Sequence, residues 1–339
     1  MSDASSAVRP ALSPWLQGQL TTLLARRGHA WLLQGPSGLG QYTLGLELAR
    51  AWLCEQPTPH GACYQCRSCH SVDVRTHADL CTLMPETLAL ALNWPLEEKT
   101  QKDLDDKKRK PSKEIRVEGA RQMVTFTQQT RSGGSTKVVF VYPAERMNHV
   151  TANTILKTLE EPPGECRFVL ASEAAHQLLP TIRSRCQTHT MIWPSEAESL
   201  SWLQTQGVPA ADAAVLLCAA GGRPEDALDL ANAGLKAAIW AGLPKAVLRG
   251  DVGAVSDATP SQAIAMLQKL CHDLLALRTG GEPRFFMAAD LPAAGTVNSL
   301  TQWSKDLMDA ARTSEHPYNA GLMFEALVAR AQTALRAKD

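Results

Sequence analysis

Five short and almost continuous apolar runs in the first half of the chain restrict its fold more than any other feature. Helical patterns separate the runs, which lie at Ala30–Leu33, Leu80–Met84, Val138–Tyr142, Phe168–Ala171 and near Thr188–Trp193. Runs without alternation are typical of strands whose two faces are both covered. Strands that alternate with helices are typical of a parallel sheet. The sequence therefore predicts an α/β core over residues 1–193.

Beyond residue 193 the strand patterns stop and helical signals continue almost to the end of the chain. The segment "SEAE" at 195–198 is a capping box, and Thr259 places a capping hydroxyl before a proline at the first helical position. Behind it, apolar residues repeat at helical spacing, at Ile264, Leu267, Cys271 and Leu274. The last third of the chain is predicted to be a helical bundle.

The first apolar run leads into "GPSGLGQYT", which has the outline of a phosphate-binding loop. Gly35 and Gly40 have the spacing of the pattern G-x-x-x-x-G-K-[ST]. Gln41 stands in the lysine position and Tyr42 in that of the magnesium-binding hydroxyl, while Thr43 comes one position late. The loop therefore lacks the charge and the short hydroxyl of a working site, although weak anion binding at the helix N-terminus stays open.

A working ATPase also needs acidic residues at the end of a later strand, to hold magnesium and organise the attacking water. The strand in "KVVFVYPAERM" is followed by Tyr142 and Pro143 at that place. Glu145 lies further on, where a solvated residue at a helix start is the default interpretation. Because two independent requirements fail together, we predict that the chain neither hydrolyses ATP nor holds it as a cofactor.

Four of the nine cysteines are crowded into "CEQPTPHGACYQCRSC", as Cys54, Cys63, Cys66 and Cys69. Zinc prefers four tetrahedral ligands, and each C-x2-C step lets a tight turn aim two sulfurs at one ion. Four thiolates leave no open coordination position, so we predict one structural zinc ion. His60 and His70 are the substitute ligands, and four unrelated thiols are the alternative. The scattered cysteines 81, 166, 186, 218 and 271 are expected to be small buried side chains.

The overall charge is balanced, with 34 Lys plus Arg and 34 Asp plus Glu. This balance argues against a protein that coats DNA. The mixed charges at 96–114 predict a solvated, mobile insertion, with a nucleic-acid arm as the alternative. The sequence shows neither a signal peptide nor an apolar run of membrane-spanning length, which predicts a cytoplasmic protein without a membrane partner.

Several motifs together resemble a known family. The loop "GPSGLGQYT" is followed by the four cysteines, by "TANTILKTLEEPP" at 151–163, by "FVLAS" and by "TIRSRCQ". In this order they resemble the delta-prime family of bacterial DNA polymerase III clamp-loader subunits, within the AAA+ superfamily. The motifs extend to about Trp193, and the match beyond it is a looser helical one.

The resemblance implies three domains. An AAA+ α/β domain covers 1–193 and contains a zinc module at 54–69 and the charged insertion at 96–114. A helical lid covers 194–240, and a helical collar for oligomerisation covers 241–339. The implied function is that of a non-hydrolysing stator in the DNA polymerase III holoenzyme. It would assemble with delta and gamma/tau subunits into a hetero-pentamer that loads the sliding clamp on primer-template DNA during replication.

The resemblance also assigns an arginine finger to Arg185, in the motif Ser184-Arg185-Cys186. A planar guanidinium from one subunit can stabilise the charge that develops on a neighbouring subunit's γ-phosphate. Arg183 is the competing candidate for this role.

Two further positions of the family's pattern bear on ATP chemistry. In "GRPEDAL", Glu225 stands where the hydrolysing relatives have an arginine, and the arginine moves to Arg223. A carboxylate there would repel phosphates, which is a third departure from ATPase chemistry. Ser172, at the end of "FVLAS", matches a polar sensing position.

Two rival functions remain at this point. An ATP-hydrolysing motor subunit of the same loader would need the missing lysine and acidic strand end. A zinc-bearing DNA-binding protein outside the replisome fits the cysteines, and its weakness is the zero net charge.

Overall fold

The structure is a computed structural model that describes residues 12–134, 136–313 and 319–337. Residues 1–11, where no signal peptide is predicted, and the last two residues of the predicted collar lie outside the described part. The chain divides into two compact units, one ending at Trp193 and one beginning at Pro194. Within the described ranges, no helix combines the length and apolar character needed to cross a membrane.

The first unit is built on a five-stranded parallel sheet with the strand order β2-β3-β4-β1-β5. The strands are β1 (Ala30–Gln34), β2 (Leu80–Leu83), β3 (Lys137–Val141), β4 (Cys166–Ser172) and β5 (Gln187–Thr190). All five predicted strands are therefore confirmed. The last strand ends earlier than predicted, because Thr190 pairs with Gln34, the last residue of β1; beyond it, Met191 N still donates to the Gln34 carbonyl at 2.8 Å.

Eight helices of the first unit surround this sheet. They are α1 (Pro14–Leu24), α2 (Gln41–Leu53), α3 (Arg67–Asp73), α4 (Glu86–Ala91), α5 (Glu98–Asp105), α6 (Val117–Gln128), α7 (His149–Glu160) and α8 (Pro180–Arg183), with short 3-10 turns at Ala144–Arg146 and Ala175–Gln177. The α/β core expected from the apolar runs is thus present.

Both faces of the sheet are covered, which explains why its strands are apolar throughout. On one face, Val139 and Leu170 form a core with Met123 of α6 and Ile155 of α7. On the other face, α2 lies so close to the sheet that a Cβ added at Gly45 would stand 2.5 Å from the ring of Phe140. The glycine inside α2 therefore permits the close approach of the helix that follows the phosphate-type loop.

The charged segment 96–114, predicted from its mixed charges to be a solvated insertion, has regular structure in part. It contains helix α5, whose residues are all at least partly exposed. After α5, Arg109 pairs with the carboxylate of Glu86, and the backbone N–H of Ser112 donates to the same carboxylate at 2.8 Å. Lys108 pairs with Asp106 at 2.9 Å. Acidic partners thus neutralise two of the basic residues that suggested a nucleic-acid arm.

The second unit is entirely helical in its described residues, as the sequence predicts. Its helices are α9 (Glu196–Thr205), α10 (Ala210–Ala219), α11 (Pro224–Asn232), α12 (Ala237–Arg249), α13 (Pro260–Arg278), α14 (Val297–Arg312) and α15 (Ala320–Arg336), with 3-10 turns at Val252–Val255 and Ala288–Asp290. Ser195 and Thr259 both form complete capping boxes, which confirms the two predicted helix starts.

Two apolar clusters lie within this second unit. One joins α9, α10 and α11 through residues such as Leu203 and Leu216. The other joins α12 to α15 through large side chains that include Trp240 and Trp303. The predicted boundary between 240 and 241 falls inside α12, because Trp240 packs into the second cluster together with the rest of that helix.

Candidate metal centre, phosphate-loop remnant and surface arginine

The glycine loop at 35–42, called here the phosphate-loop remnant, keeps the backbone of a phosphate-binding loop. Gly38 and Gly40 have left-handed φ values of 79° and 82°, which favour glycine. The carbonyl of Gly40 accepts the first helical hydrogen bond of α2, from Leu44 N at 2.8 Å. The loop thus joins β1 to the N-terminus of a helix in the way that phosphate-binding loops do.

The Gln41 side chain turns back into this loop. Its Nε2 donates to the carbonyl oxygens of Gly35 at 3.0 Å and Pro36 at 2.6 Å. The residue is 2% exposed. Both N–H donors of the amide are therefore used within the loop, and no ammonium is present where a nucleotide's β- and γ-phosphates would need one.

Aromatic residues occupy the other two diagnostic positions. Trp94 Nε1 donates to the hydroxyl of Tyr42 at 2.8 Å, and the ring of Tyr42 contacts that of Tyr142 at 5.4 Å between centroids. The Tyr142 hydroxyl donates to Glu173 at 2.6 Å, and burial raises the pKa of this phenol. The structure thus brings together the loop and the end of β3, but it joins them through packed rings.

Two further polar residues near the end of β3 bind within the chain, although the second carboxylate oxygen of Glu145, Oε2, is buried and has no hydrogen-bond partner among the described residues. Glu145 Oε1 accepts from the backbone N–H of Glu173 at 3.2 Å. Ser172 is fully buried; its carbonyl accepts from Gly35 N at 3.3 Å and its Oγ accepts from Ala174 N at 3.3 Å. Glu145 is therefore not the solvated residue expected from sequence, because its carboxylate holds the loop after β4.

The four clustered cysteines converge on one point. Their Sγ atoms all lie within 4.8 Å of one another, and the Sγ atoms of Cys54 and Cys66 are 3.9 Å apart. A tetrahedron with metal–sulfur bonds of about 2.3 Å has edges of about 3.8 Å. Among the described residues, the converging group consists of the four cysteines. Neither predicted substitute ligand, His60 or His70, belongs to it. The donor set and its spacing thus fit a metal ion.

Local structure explains why the sulfurs converge in the cysteine module, residues 54–69. Cys54 caps the C-terminus of α2, and Cys66 caps the N-terminus of α3, where its sulfur accepts from Cys69 N. Between them the chain turns back through a bridge between Thr58 and Gly61. Two helix ends and one turn therefore aim the ligands.

The environment of the thiols favours a cation. Backbone N–H groups of Gln65 and Cys66 lower the pKa of the Cys63 thiol to about 6. Burial raises the pKa of the Cys54 and Cys69 thiols. The thiolate is the form that binds metals, so a cation in the cluster would offset the cost of burying two negative sulfurs.

Arg50 connects this module to α2 and was not identified from the sequence. It is fully buried, and its Nη1 donates to the carbonyl of Cys69 at 3.0 Å. Its guanidinium also pairs with Asp73 at 2.8 Å and with Glu47 at 3.4 Å. A charged residue within the otherwise apolar end of α2, "LARAWL", is the signal that could have found it.

The five scattered cysteines fit the prediction of small buried side chains only in part. Cys166 and Cys271 are buried, and the others are half-buried. Burial raises the pKa of the Cys186 and Cys271 thiols to about 12, so these groups are protonated at neutral pH.

Arg185 lies at the surface of the first unit, two residues after α8. Its Nε and Nη2 donate to Glu160 Oε2 at 3.0 and 2.9 Å, and its Nη1 donates to the carbonyl of Thr181 at 3.0 Å. Its side chain is 29% exposed. The competing candidate, Arg183, is an exposed residue at the end of α8. Sequence analysis did not single out Glu160, although it belongs to the quoted "LEEPP" motif.

Arg223 and Glu225 lie at the start of α11, in the second unit. The Arg223 guanidinium pairs with Asp226 one turn later. Burial, followed by the carboxylates of Asp226 and Asp229, raises the pKa of Glu225 to about 7. The arginine is thus engaged by its own helix, and the carboxyl group beside it has an environment that disfavours negative charge.

Comparisons with known proteins agree with the motifs. A family model described as "DNA polymerase III, delta subunit" matches residues 15–192. The chain is 36% identical over 227 residues to DNA polymerase III subunit delta' of Pseudomonas aeruginosa, which covers 66% of this chain and 62% of that protein. For the Escherichia coli K12 protein of the same name, identity is 33% over 223 residues, covering 64% of this chain and 60% of that one.

The matched segments thus span about three fifths of the length of these two relatives. DNA polymerase III subunit delta' of Yersinia pestis is 30% identical over a longer stretch of 274 residues, which covers 77% of this chain and 71% of that protein. Because the family model matches more than half of the 339 residues, this chain belongs to the DNA polymerase III family that the model describes, together with the delta' subunits named here.

Proposed function

We propose that this chain is a subunit of a DNA polymerase III clamp loader and that it acts there as a stator, without hydrolysing ATP itself. It assembles with delta and gamma/tau subunits into a hetero-pentamer in the bacterial cytoplasm. The assembly opens the sliding clamp and places it on primed DNA during replication. The names of the relatives support the proposal that the chain is a DNA polymerase III subunit. The site geometry supports the proposal that other subunits hydrolyse the ATP.

The observation that carries the proposal is the use of Gln41 within its own loop. A nucleotide in cis would need positive charge at its β/γ-phosphates and a carboxylate for magnesium. Here the amide of Gln41 binds two loop carbonyls, and Tyr142 stands where the carboxylate would be. The loop is therefore a retained fold element, and ATP is not a cofactor of this chain.

The chain contributes to catalysis through Arg185. The residue lies at the surface and carries a permanent charge on a planar fork of donors. Supplied in trans, such a guanidinium is worth roughly 10³–10⁵ in phosphoryl-transfer rate. In this role Arg185 stabilises the transition state in the ATP site of an adjacent motor subunit.

The metal of the cysteine module is one structural zinc ion held by Cys54, Cys63, Cys66 and Cys69. When bound, it supplies a closed tetrahedral crosslink and no open position for chemistry. The residues themselves join the C-terminus of α2 to α3, so the module adds a rigid extension to the AAA+ domain of residues 1–193.

The helical unit supplies the remaining architecture. The cluster of α9 to α11 forms the core of a lid at about 194–240, and the cluster of α12 to α15 forms the core of a collar at about 241–339. The collar makes the oligomer contacts.

The test measures ATP binding and hydrolysis by the isolated chain and again after mixing with the motor subunits. We expect no hydrolysis by the isolated chain and a higher turnover in the mixture than the motor subunits show alone. Hydrolysis by the isolated chain would overturn the proposal and restore the motor-subunit alternative. Salt-sensitive duplex binding without any partner would instead favour the DNA-binding alternative.

Arg185→Ala tests the arginine within the same assay. Assembly should stay intact, because the residue is on the surface, while DNA-stimulated turnover of the complex falls by at least about tenfold. Arg183→Ala is the matched control, because it removes the same charge two residues away. An unchanged rate for Arg185→Ala, or an equal loss for both variants, would contradict the assignment.

A further inference from the structure

The guanidinium of Arg185 is held on two sides by its own chain. Glu160, the last residue of α7, accepts from Nε and Nη2 through a single oxygen, Oε2. The carbonyl of Thr181 in α8 accepts from Nη1. Three hydrogen bonds from two helices therefore fix the plane and direction of a side chain that has many rotamers when free.

These bonds leave part of the guanidinium available. Arginine has five N–H donors, and Glu160 and Thr181 engage three of them. One N–H remains on Nη1 and one on Nη2, at the part of the group farthest from the backbone. Since the arginine side chain is 29% exposed, these donors can meet a phosphate of another subunit.

We infer that Glu160 is a positioning residue for Arg185, an inference that rests on the proposed role of this arginine. An ion pair whose carboxylate is 55% exposed contributes little to stability. Its effect lies in orientation: the bonds to Glu160 and Thr181 hold the guanidinium plane and leave one N–H on each Nη nitrogen unused by these partners. Preorientation of this kind raises a rate because the arginine need not lose its rotamer freedom in the transition state.

The neighbouring sequence provides a matched control. Glu161 follows Glu160 directly and is also exposed. Its backbone leaves the helix, with φ −127° and ψ 78° at the C-cap of α7. Glu161→Ala removes the same charge from the same helix end and leaves the ion pair with Arg185 in place, so it separates orientation from the general electrostatics of the surface.

The experiment uses the complete assembled loader and measures kcat and KM for DNA-stimulated ATP hydrolysis. Glu160→Ala should lower kcat by about 3- to 10-fold with little change in KM, a smaller loss than for Arg185→Ala. Glu160→Gln should keep most of the rate, because its amide oxygen still accepts from the guanidinium. Glu161→Ala should leave the rate unchanged.

A double-mutant cycle decides the mechanism. If Glu160 acts through Arg185, the variant with both residues changed to alanine will be no slower than Arg185→Ala alone. An equal fold-loss in both backgrounds would overturn the inference, as would a faster rate for Glu160→Ala or Glu160→Gln, which would make the carboxylate a brake. If Arg185→Ala itself has no effect, the proposed arginine finger fails, and the inference fails with it. A normal rate for Glu160→Ala beside a slow Arg185→Ala would refute the positioning role alone.

Discussion

Helix α2 has the phosphate-loop remnant at its N-terminus and the cysteine module at its C-terminus, and the two ends use their polar atoms in opposite ways. At the N-terminus, the Gln41 amide donates to two carbonyls of the loop, and the Tyr42 hydroxyl accepts from Trp94. At the C-terminus, four sulfurs point at one another around a common centre. Donors that are paired with acceptors of the same chain are typical of a structural element, whereas metal-ligating atoms of one kind that converge indicate a ligand site.

A buried polar residue has a different role at each end of α2. Gln41 and Arg50 lie in the same helix and are both buried. Gln41 donates to two carbonyls of its own loop, while Arg50 donates to the carbonyl of Cys69 and so supports the candidate metal site. Buried polar residues thus stabilise both ends of α2, and the converging ligand atoms lie at its C-terminal end.

The largest effect is expected for Cys63→Ser combined with Cys66→Ser. With two of four thiolates gone, zinc content should fall from about one equivalent to near zero, because a structural site needs its complete ligand set. The module should lose hydrogen-exchange protection while the sheet keeps its own. Cys218→Ser is the control and should retain the metal. A wild-type chain that contains no zinc by elemental analysis would break the contrast between the two ends of α2.

A smaller effect is expected for Arg50→Met, which keeps apolar bulk and removes the charge. Glu47, 3% exposed, would then lose its ion pair with Arg50 and keep its hydrogen bond from the Tyr64 hydroxyl at 2.8 Å. Removing one member of a buried pair costs about 3–5 kcal/mol, so denaturant unfolding should show a loss of about that size, together with faster zinc release to a chelator. Arg67→Met, at an exposed position of α3, should change neither. Normal zinc release from Arg50→Met would show that the cysteine module does not depend on the ion pairs of Arg50.

The smallest effect is expected for Gln41→Ala. Two loop carbonyls would lose their donor, at a cost of about 1–2 kcal/mol in unfolding free energy. Zinc content should not change. Gln41→Lys, which restores the motif's lysine, should still give no ATP hydrolysis because Tyr142 and Pro143 offer no carboxylate. Hydrolysis by Gln41→Lys would show that one substitution is enough to restore a working site. It would weaken the contrast between the two ends of α2.

Much of the fold was predictable because its signals are local. Apolar runs located all five strands, and the Ser195 and Thr259 capping boxes located two helix starts to the residue. Helix α5 was missed because none of its residues is buried and Leu104 is the one apolar residue in "EKTQKDLD", which is too few for an apolar repeat. The boundary at 240 lies within α12 because the resemblance is loose there, and only the packing of Trp240 shows which cluster it joins.

The sites divide in the same way. The spacing of the four cysteines predicted their convergence, since ligands a few residues apart are aimed by turns and helix ends. The partners of Arg50 and Arg185 could not be predicted, because Asp73 and Glu160 lie 23 and 25 residues away along the chain and are brought near by helix packing. Glu145 was misjudged for the same reason, since its partner is the backbone of Glu173.

By itself, the sequence determined which groups this protein lacks and which it concentrates: no lysine in its glycine loop, no acidic pair after β3, and four thiols within sixteen residues. Chemistry of that kind depends on residue type and short spacing, which the chain carries directly. The tertiary structure decided how the side chains at the positions of the missing lysine and carboxylates are bonded, and which groups bind the exposed Arg185. Those contacts join segments far apart in the chain, and the packing of helices and strands is what brings the partners within hydrogen-bond distance.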